Sequence, residues 1–192
     1  MPQTHAIDGD AERRTITNRL RRLQGQVRGL ASMIETRQGC EAVLTQIMAA
    51  RSALGQVGLH IVGYSMKRCL AGEAESGDAL VDRAFEVFLD YRSMAASSSG
   101  TTLATPRDQD EMVQRLHDVE AGLLAVQADL EAGTACDRLV TRIGEVTAML
   151  NEVALGVLSH SMRDCLIAPG DDRERVIDDA VAVFLKYSAC LR

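Results

Sequence analysis

The sequence predicts an all-α protein: two tandem three-helix repeats packing as an intrachain pseudo-dimer, an antiparallel bundle of long helices. Three observations carry this. The chain repeats with an offset of 96 residues and no gap, so that Cys40 and Cys69 fall on Cys136 and Cys165, Ser65–Met66 on Ser161–Met162, and Phe88–Leu89 with Tyr91 on Phe184–Leu185 with Tyr187. Apolar residues recur at spacings of three and four over long stretches, the period of one helical face. The composition is that of helices: aromatics are 3%, Trp is absent, and the three prolines, at 2, 106 and 169, lie outside the periodic segments.

The first helix is predicted from about Asp10 to Glu35, with Ile16, Leu20, Leu23, Val27, Leu30 and Ile34 on one stripe. The second begins near Cys40 and continues to about Leu70, far longer than an average globular helix. The third is expected from about Gly77 to Met94. The second repeat should reproduce these over about Pro106–Ala132, Ala135–Ile167 and Arg173–Leu191. Thr105 as N-cap with Pro106 at the first helical position is the expected start of its first helix. The run Thr134-Ala-Cys136-Asp137 fits a capping box and sets Cys136 in the first turn of its helix. Residues 97–105, rich in Ser and Thr, form the linker between a repeat over 1–96 and another over 106–192.

No apolar run approaches the ~18 residues of a membrane span. The polar N-terminal stretch lacks the apolar core of a signal peptide. The expected protein is therefore soluble and cytoplasmic, with no membrane partner. Five cysteines in such a chain point to reactive or metal-binding thiols rather than structural disulfides. The net charge of −6 is unevenly shared. Residues 1–96 hold 12 Lys and Arg against 11 Asp and Glu, and residues 97–192 hold 9 against 16. An anion-binding surface kept by one repeat and lost by the other explains the asymmetry.

The cysteines are the natural seat of the chemistry. Cys40 and Cys69 are 29 residues apart, which at 100° per residue sets both on one face of a continuous helix, about 43 Å apart along its axis. They cannot meet within one helix. Antiparallel packing of the two long helices would bring Cys40 beside Cys165 and Cys136 beside Cys69. The helix dipole favours the thiolate at an N-terminus, which makes Cys40 and Cys136 the attacking thiols and Cys69 and Cys165 the resolving ones. Cys190 aligns with Met94 and reads as a packing residue. Buried cysteine acting merely as a small apolar side chain is the plain alternative for all of them.

With Arg19-Leu-Arg-Arg-Leu-Gln-Gly-Gln-Val-Arg-Gly29, Cys40, Leu44-Thr-Gln-Ile47 and Ser52-Ala-Leu54 in view, the first repeat resembles the CsoR/RcnR family of bacterial metal- and thiol-sensing repressors. In the second repeat the likeness rests on Cys136, Leu150 and the segment Ser161–Cys165. The resemblance implies a DNA-binding transcriptional repressor without enzymatic activity or cofactor, released from its operator by an inducer. It also implies that this chain is a fused dimer, and that two chains form a homodimer equivalent to the family's tetramer. Copper sensors of the family carry Cys, then His 25 residues later, then Cys four later. Here that histidine position is Ser65 and Ser161, and a neutral hydroxyl is a poor Cu(I) ligand. His160, five residues from Cys165, lies about 140° away around its helix and does not replace it. His5, His60 and His117 are isolated and read as solvated or packed. Two cysteines without the histidine resemble the CstR-like branch, which senses persulfide and polysulfide through Cys40, Cys69, Cys136 and Cys165. Cu(I) at the same four thiols is the first alternative. Formaldehyde sensing through Pro2 and Cys40 is a second. A sulfur-handling or redox protein without DNA binding is a rival from another class, which no general base, phosphate loop or cofactor motif supports.

The operator, double-stranded DNA, needs a cationic surface. Arg14, Arg21 and Arg28 recur every seven residues on one stripe, Arg13, Arg19 and Arg22 lie near it, and Arg51 on the long helix is expected to join. No aromatics interleave them, which fits phosphate contact rather than base stacking. In the second repeat Arg21 and Arg22 become His117 and Asp118, Gln24 becomes Glu120 and Arg28 becomes Leu124. Only Arg115 keeps the position of Arg19. The second repeat is expected to sense and support rather than to bind DNA.

Overall fold

The computed structural model describes residues 6–71 and 108–167, without the side chains of 69, 70 and 164–167, together with Asp178, Val181 and Ala182. The helices expected over 77–94 and 173–191, the linker 97–105, Pro2, His5 and Cys190 lie outside the described residues, apart from Asp178, Val181 and Ala182, which are helical.

Among the described residues four long helices make the bundle: α1 (Asp10–Glu35), α2 (Cys40–Leu70), α3 (Gln109–Glu131) and α4 (Cys136–Ile167). The first two span the residues that their periodicity predicts. The start of α3 differs. Its N-cap is Asp108, whose carboxylate accepts the backbone N–H of Glu111 at 2.9 Å, so Thr105 and Pro106 precede the helix rather than begin it. Asp108 and Glu111 are spaced as in a capping box, and an aspartate caps better than a threonine.

Each repeat forms a helical hairpin, α1 with α2 and α3 with α4. The hairpins then pack so that α1 lies on α3 and α2 on α4, and the α1–α3 contact is the most extensive of the four. Both cross-repeat pairs run antiparallel. Near one end of α1 the backbone carbonyl of Glu35 accepts from Gln109 at the start of α3, while Arg28 meets Glu120 and Gln24 meets Gln127 further along. The stripe of α1 is buried along its whole length, from Ile16 to Ile34, and faces the matching stripe Met112, Leu116, Val119, Leu123, Val126 and Leu130. The long helices add Leu44, Ile47, Leu54 and Ile61 on one side and Val140, Ile143, Leu150 and Val153 on the other. All belong to one continuous core. Each such side chain contributes about 1.5–3 kcal/mol on burial, so the repeats are bound by a shared core rather than by surface contact.

Both hairpin loops use one device. The N–H groups of Arg37 and Gln38 return to the carbonyls of Ile34 and Met33, and those of Gly133 and Thr134 return to Leu130 and Asp129. These are Schellman closures, which require a left-handed residue just past the helix. Arg37 (φ 54°) and Gly133 (φ 72°) fill that position.

Candidate functional site

The antiparallel crossing of α2 and α4 brings the beginning of each long helix against the end of the other. At one end the Cys40 thiol, half-buried, donates to the Val157 carbonyl oxygen at 4.0 Å. It opens on a cleft of about 570 Å³ that Arg37, Val157, His160 and Ser161 also line. At the other end Cys136 is fully buried, with Ser65, itself 5% exposed, close enough to act on its thiol. Each N-terminal cysteine therefore shares its site with the serine of the opposite repeat. Cys69 and Cys165 follow those serines by one helical turn on α2 and α4; their side chains lie outside the described residues.

The two thiols are not alike. Both begin a helix, where the dipole stabilises a thiolate. At Cys136, however, burial is the larger influence, and with the neighbouring Asp137 it pushes the thiol up to about 11, against a smaller opposing effect of the Ser65 hydrogen bond. The expectation of an activated thiolate at Cys136 is corrected accordingly: burial and Asp137 both work against the anion. His160 is also corrected. The spacing argument sets it apart from Cys165 and did not reach its neighbours across the interface, where it lines the same wide cleft as Cys40.

The N-terminal segment runs beside the Cys136 end of the bundle. Residues 6–9 cross over the end of α2 to reach the α3–α4 loop, where Ala6 forms an isolated antiparallel bridge with Ala135. Ile7 is 1% exposed. Asp8 accepts hydrogen bonds from Tyr64 and Arg68, both on α2. These two donors hold the Asp8 carboxyl down at about 2, Tyr64 more than Arg68. Glu12, in the first turn of α1, meets His60 at 2.6 Å. No sequence signal marked this segment, because its contacts are all distant in the chain.

On the outer face of α1, Arg14, Arg21, Arg22 and Arg28 are exposed and Arg19 is partly so. Among the described residues, Arg14, Arg19, Arg21 and Arg22 have no carboxylate partner. Arg28 does, donating to Glu120 at 2.6 Å. Arg51 is corrected: it is 4% exposed, turned inward where α2 meets the rest of the bundle, and it does not extend the stripe. Helical spacing alone could not show this, since burial depends on what packs against the helix. Arg115, the counterpart of Arg19, lies 3.2 Å from Glu152 and 3.6 Å from Asp118. The Arg19 repeat has neutral Gln56 where Glu152 stands. Burial raises the Glu152 carboxyl, and Arg115 opposes the shift.

The sequence profile of the metal-sensitive transcriptional repressors matches this chain twice, over residues 12–90 and 108–186. The chain belongs to this family. The family is one of repressors, not enzymes, and the double match establishes a tandem arrangement within it. Among curated relatives, the copper-sensing transcriptional repressor CsoR of Bacillus subtilis (strain 168) is 42% identical over 67 residues, which is 35% of this chain and 66% of the relative. The copper-sensing transcriptional repressor RicR of Mycobacterium tuberculosis (strain ATCC 25618 / H37Rv) is 46% identical over 59 residues, 31% of this chain and 62% of the relative. The aligned part thus spans just under two thirds of each. No solved structure matches. Among the described residues, no helix is long and apolar enough to cross a membrane.

Proposed function

We propose that this family member is a DNA-binding repressor that senses persulfide or polysulfide at thiol pairs shared between its repeats. The observation that carries the sensing half is the serine opposite each N-terminal cysteine. A buried serine hydroxyl beside Cys136 cannot supply the soft donor that Cu(I) favours, whereas sulfur transfer needs only an attacking thiolate and a second thiol to resolve it. Cys165 and Cys69, one turn beyond Ser161 and Ser65, are the resolving thiols of this reading, which pairs Cys40 with Cys165 and Cys136 with Cys69. The uncompensated arginines of α1 support the DNA half. Repeat 1–96 contacts phosphate through Arg14, Arg19, Arg21 and Arg22, with Arg28 shared with Glu120, and repeat 106–192 completes the thiol sites. The exposed leucines Leu59 and Leu155 occupy equivalent places on α2 and α4 and suit the pairing of two chains into a homodimer.

Copper remains the second reading, favoured by one observation: His160 lines the same cleft as Cys40. Fluorescence anisotropy on a labelled duplex from the promoter of the protein's own gene separates the two. On the sulfur reading, tetrasulfide releases the DNA from the reduced protein, dithiothreitol restores binding, and stoichiometric Cu(I) leaves binding intact. Release by Cu(I) alone would transfer the assignment to copper, and absence of duplex binding at low salt would remove the repressor reading itself.

A further inference from the structure

We infer that the two thiol sites have divided their roles: the Cys40 site takes reagents from solution, while the Cys136 site is held shut by the N-terminal segment, with Asp8 on Arg68 and Tyr64 as its latch. This division is one of accessibility and applies to any thiol-directed inducer. By sequence the two sites are twins, since Cys40, Val43, Leu44 and Ile47 recur as Cys136, Leu139, Val140 and Ile143. In the fold they differ. The Cys40 thiol opens on the cleft, and Cys136 has no exposed surface.

What closes the second site is a short strap. Ala6 bridges to Ala135, the residue before Cys136, and lies 3.9 Å from the position a Cβ would take on Gly133. Ile7 is driven inward and loses nearly all its contact with water. Asp8 is then fixed to α2 one turn from Ser65, through the Tyr64 hydroxyl and the Arg68 guanidinium. Both charges of the latch act on the Cys136 thiol. Glu12 and His60 tie the same two elements a turn further along.

The other site has no means of making this latch. At the positions equivalent to Asp8, Tyr64 and Arg68 the second repeat carries Ala104, His160 and Asp164, and opposite Asp108, the counterpart of Glu12, His60 becomes Gly156. An alanine offers no carboxylate, and an aspartate in place of Arg68 offers no cation to hold one. The same duplication that made two sites has thus left a lockable one and an open one.

The test is pulsed alkylation of the reduced full-length chain with N-ethylmaleimide, followed by peptide mass mapping of each cysteine over time. Cys136 should react at least about tenfold more slowly than Cys40, as a thiol that reacts only through local opening. Asp8→Asn should raise the Cys136 rate several-fold and leave Cys40 unchanged. Ile7→Ser, which loosens the strap without touching the latch, should do the same. Equal rates in the parent chain would overturn the inference. So would a Cys136 rate unmoved in both variants, which would assign its protection to the helices alone. A joint rise at Cys40 and Cys136 would mean general loosening and would also overturn it.

Discussion

Arg37 and Gly133 occupy the same place in the two repeats and the same left-handed conformation, but only one of them is a glycine. A side chain in that region costs about 1–2 kcal/mol. Arg37→Gly removes this cost and gives back about 0.4–1 kcal/mol through the freer unfolded chain. The expected result is a gain of about 0.5–1 kcal/mol, read as a higher urea midpoint at unchanged m-value. Gly133→Ala should shift the midpoint the other way. The latch makes a second prediction at this scale. The Asp8 carboxyl lies at about 2 in the folded chain against an ordinary 3.8. A depressed carboxyl stabilises the fold above its unfolded value, and the contribution fades as pH falls toward its folded value. The difference in thermal midpoint between the parent chain and Asp8→Asn should be constant above about pH 5 and shrink between about pH 4 and 2. A difference independent of pH would show that Asp8 acts by shape rather than by charge.

At the scale of helices, Gly122 sits where α3 packs tightly on α4. A Cβ there would stand 2.7 Å from a Val146 methyl and 3.2 Å from the Met149 methyl. The methionine can yield, but the branched valine has little rotamer freedom. Overpacking of this kind costs about 1–3 kcal/mol, while alanine gains about 1 kcal/mol of helix propensity over glycine. Gly122→Ala should therefore lower stability by about 1 kcal/mol, and pairing it with Val146→Ala should recover part of the loss by making room. Equal or greater stability in the single variant would mean the helices separate without cost. The helices also explain why Cys136 is not the thiolate its position suggests. At Cys136 packing removes the water that an anion needs.

Over the whole molecule, charge is arranged by repeat. Six arginines on α1 stand against Asp10, Glu12 and Glu35, while α3 carries Arg115 against six acidic residues. The two helices lie side by side, so one face of the bundle is half cationic and half anionic. Glu120 reaches across to Arg28 and withdraws part of that charge. Glu120→Gln should strengthen duplex binding several-fold at low salt, because a guanidinium is released for phosphate and a like charge is removed. Replacing Arg14, Arg21 and Arg22 by Gln should weaken binding and flatten the salt dependence by roughly 0.9 per lost phosphate contact. Arg115→Gln should change neither, since Glu152 and Asp118 already hold that side chain.

The helix class, the spans of α1 and α2 and the core stripes follow from the sequence by itself, because periodic apolar burial is a local pattern that any packing partner must satisfy. The duplication and the family are equally legible, being statements about residue identity at fixed spacing. The tertiary structure alone decided the rest. It brought His160 to the Cys40 cleft, tied Arg28 to Glu120 and set residues 6–9 against the α3–α4 loop. Each of these outcomes depends on a neighbour from the other repeat or from a distant segment. Two sites written with the same residues became one open and one sealed, because burial is a property of what lies across the interface and not of the helix that carries the thiol.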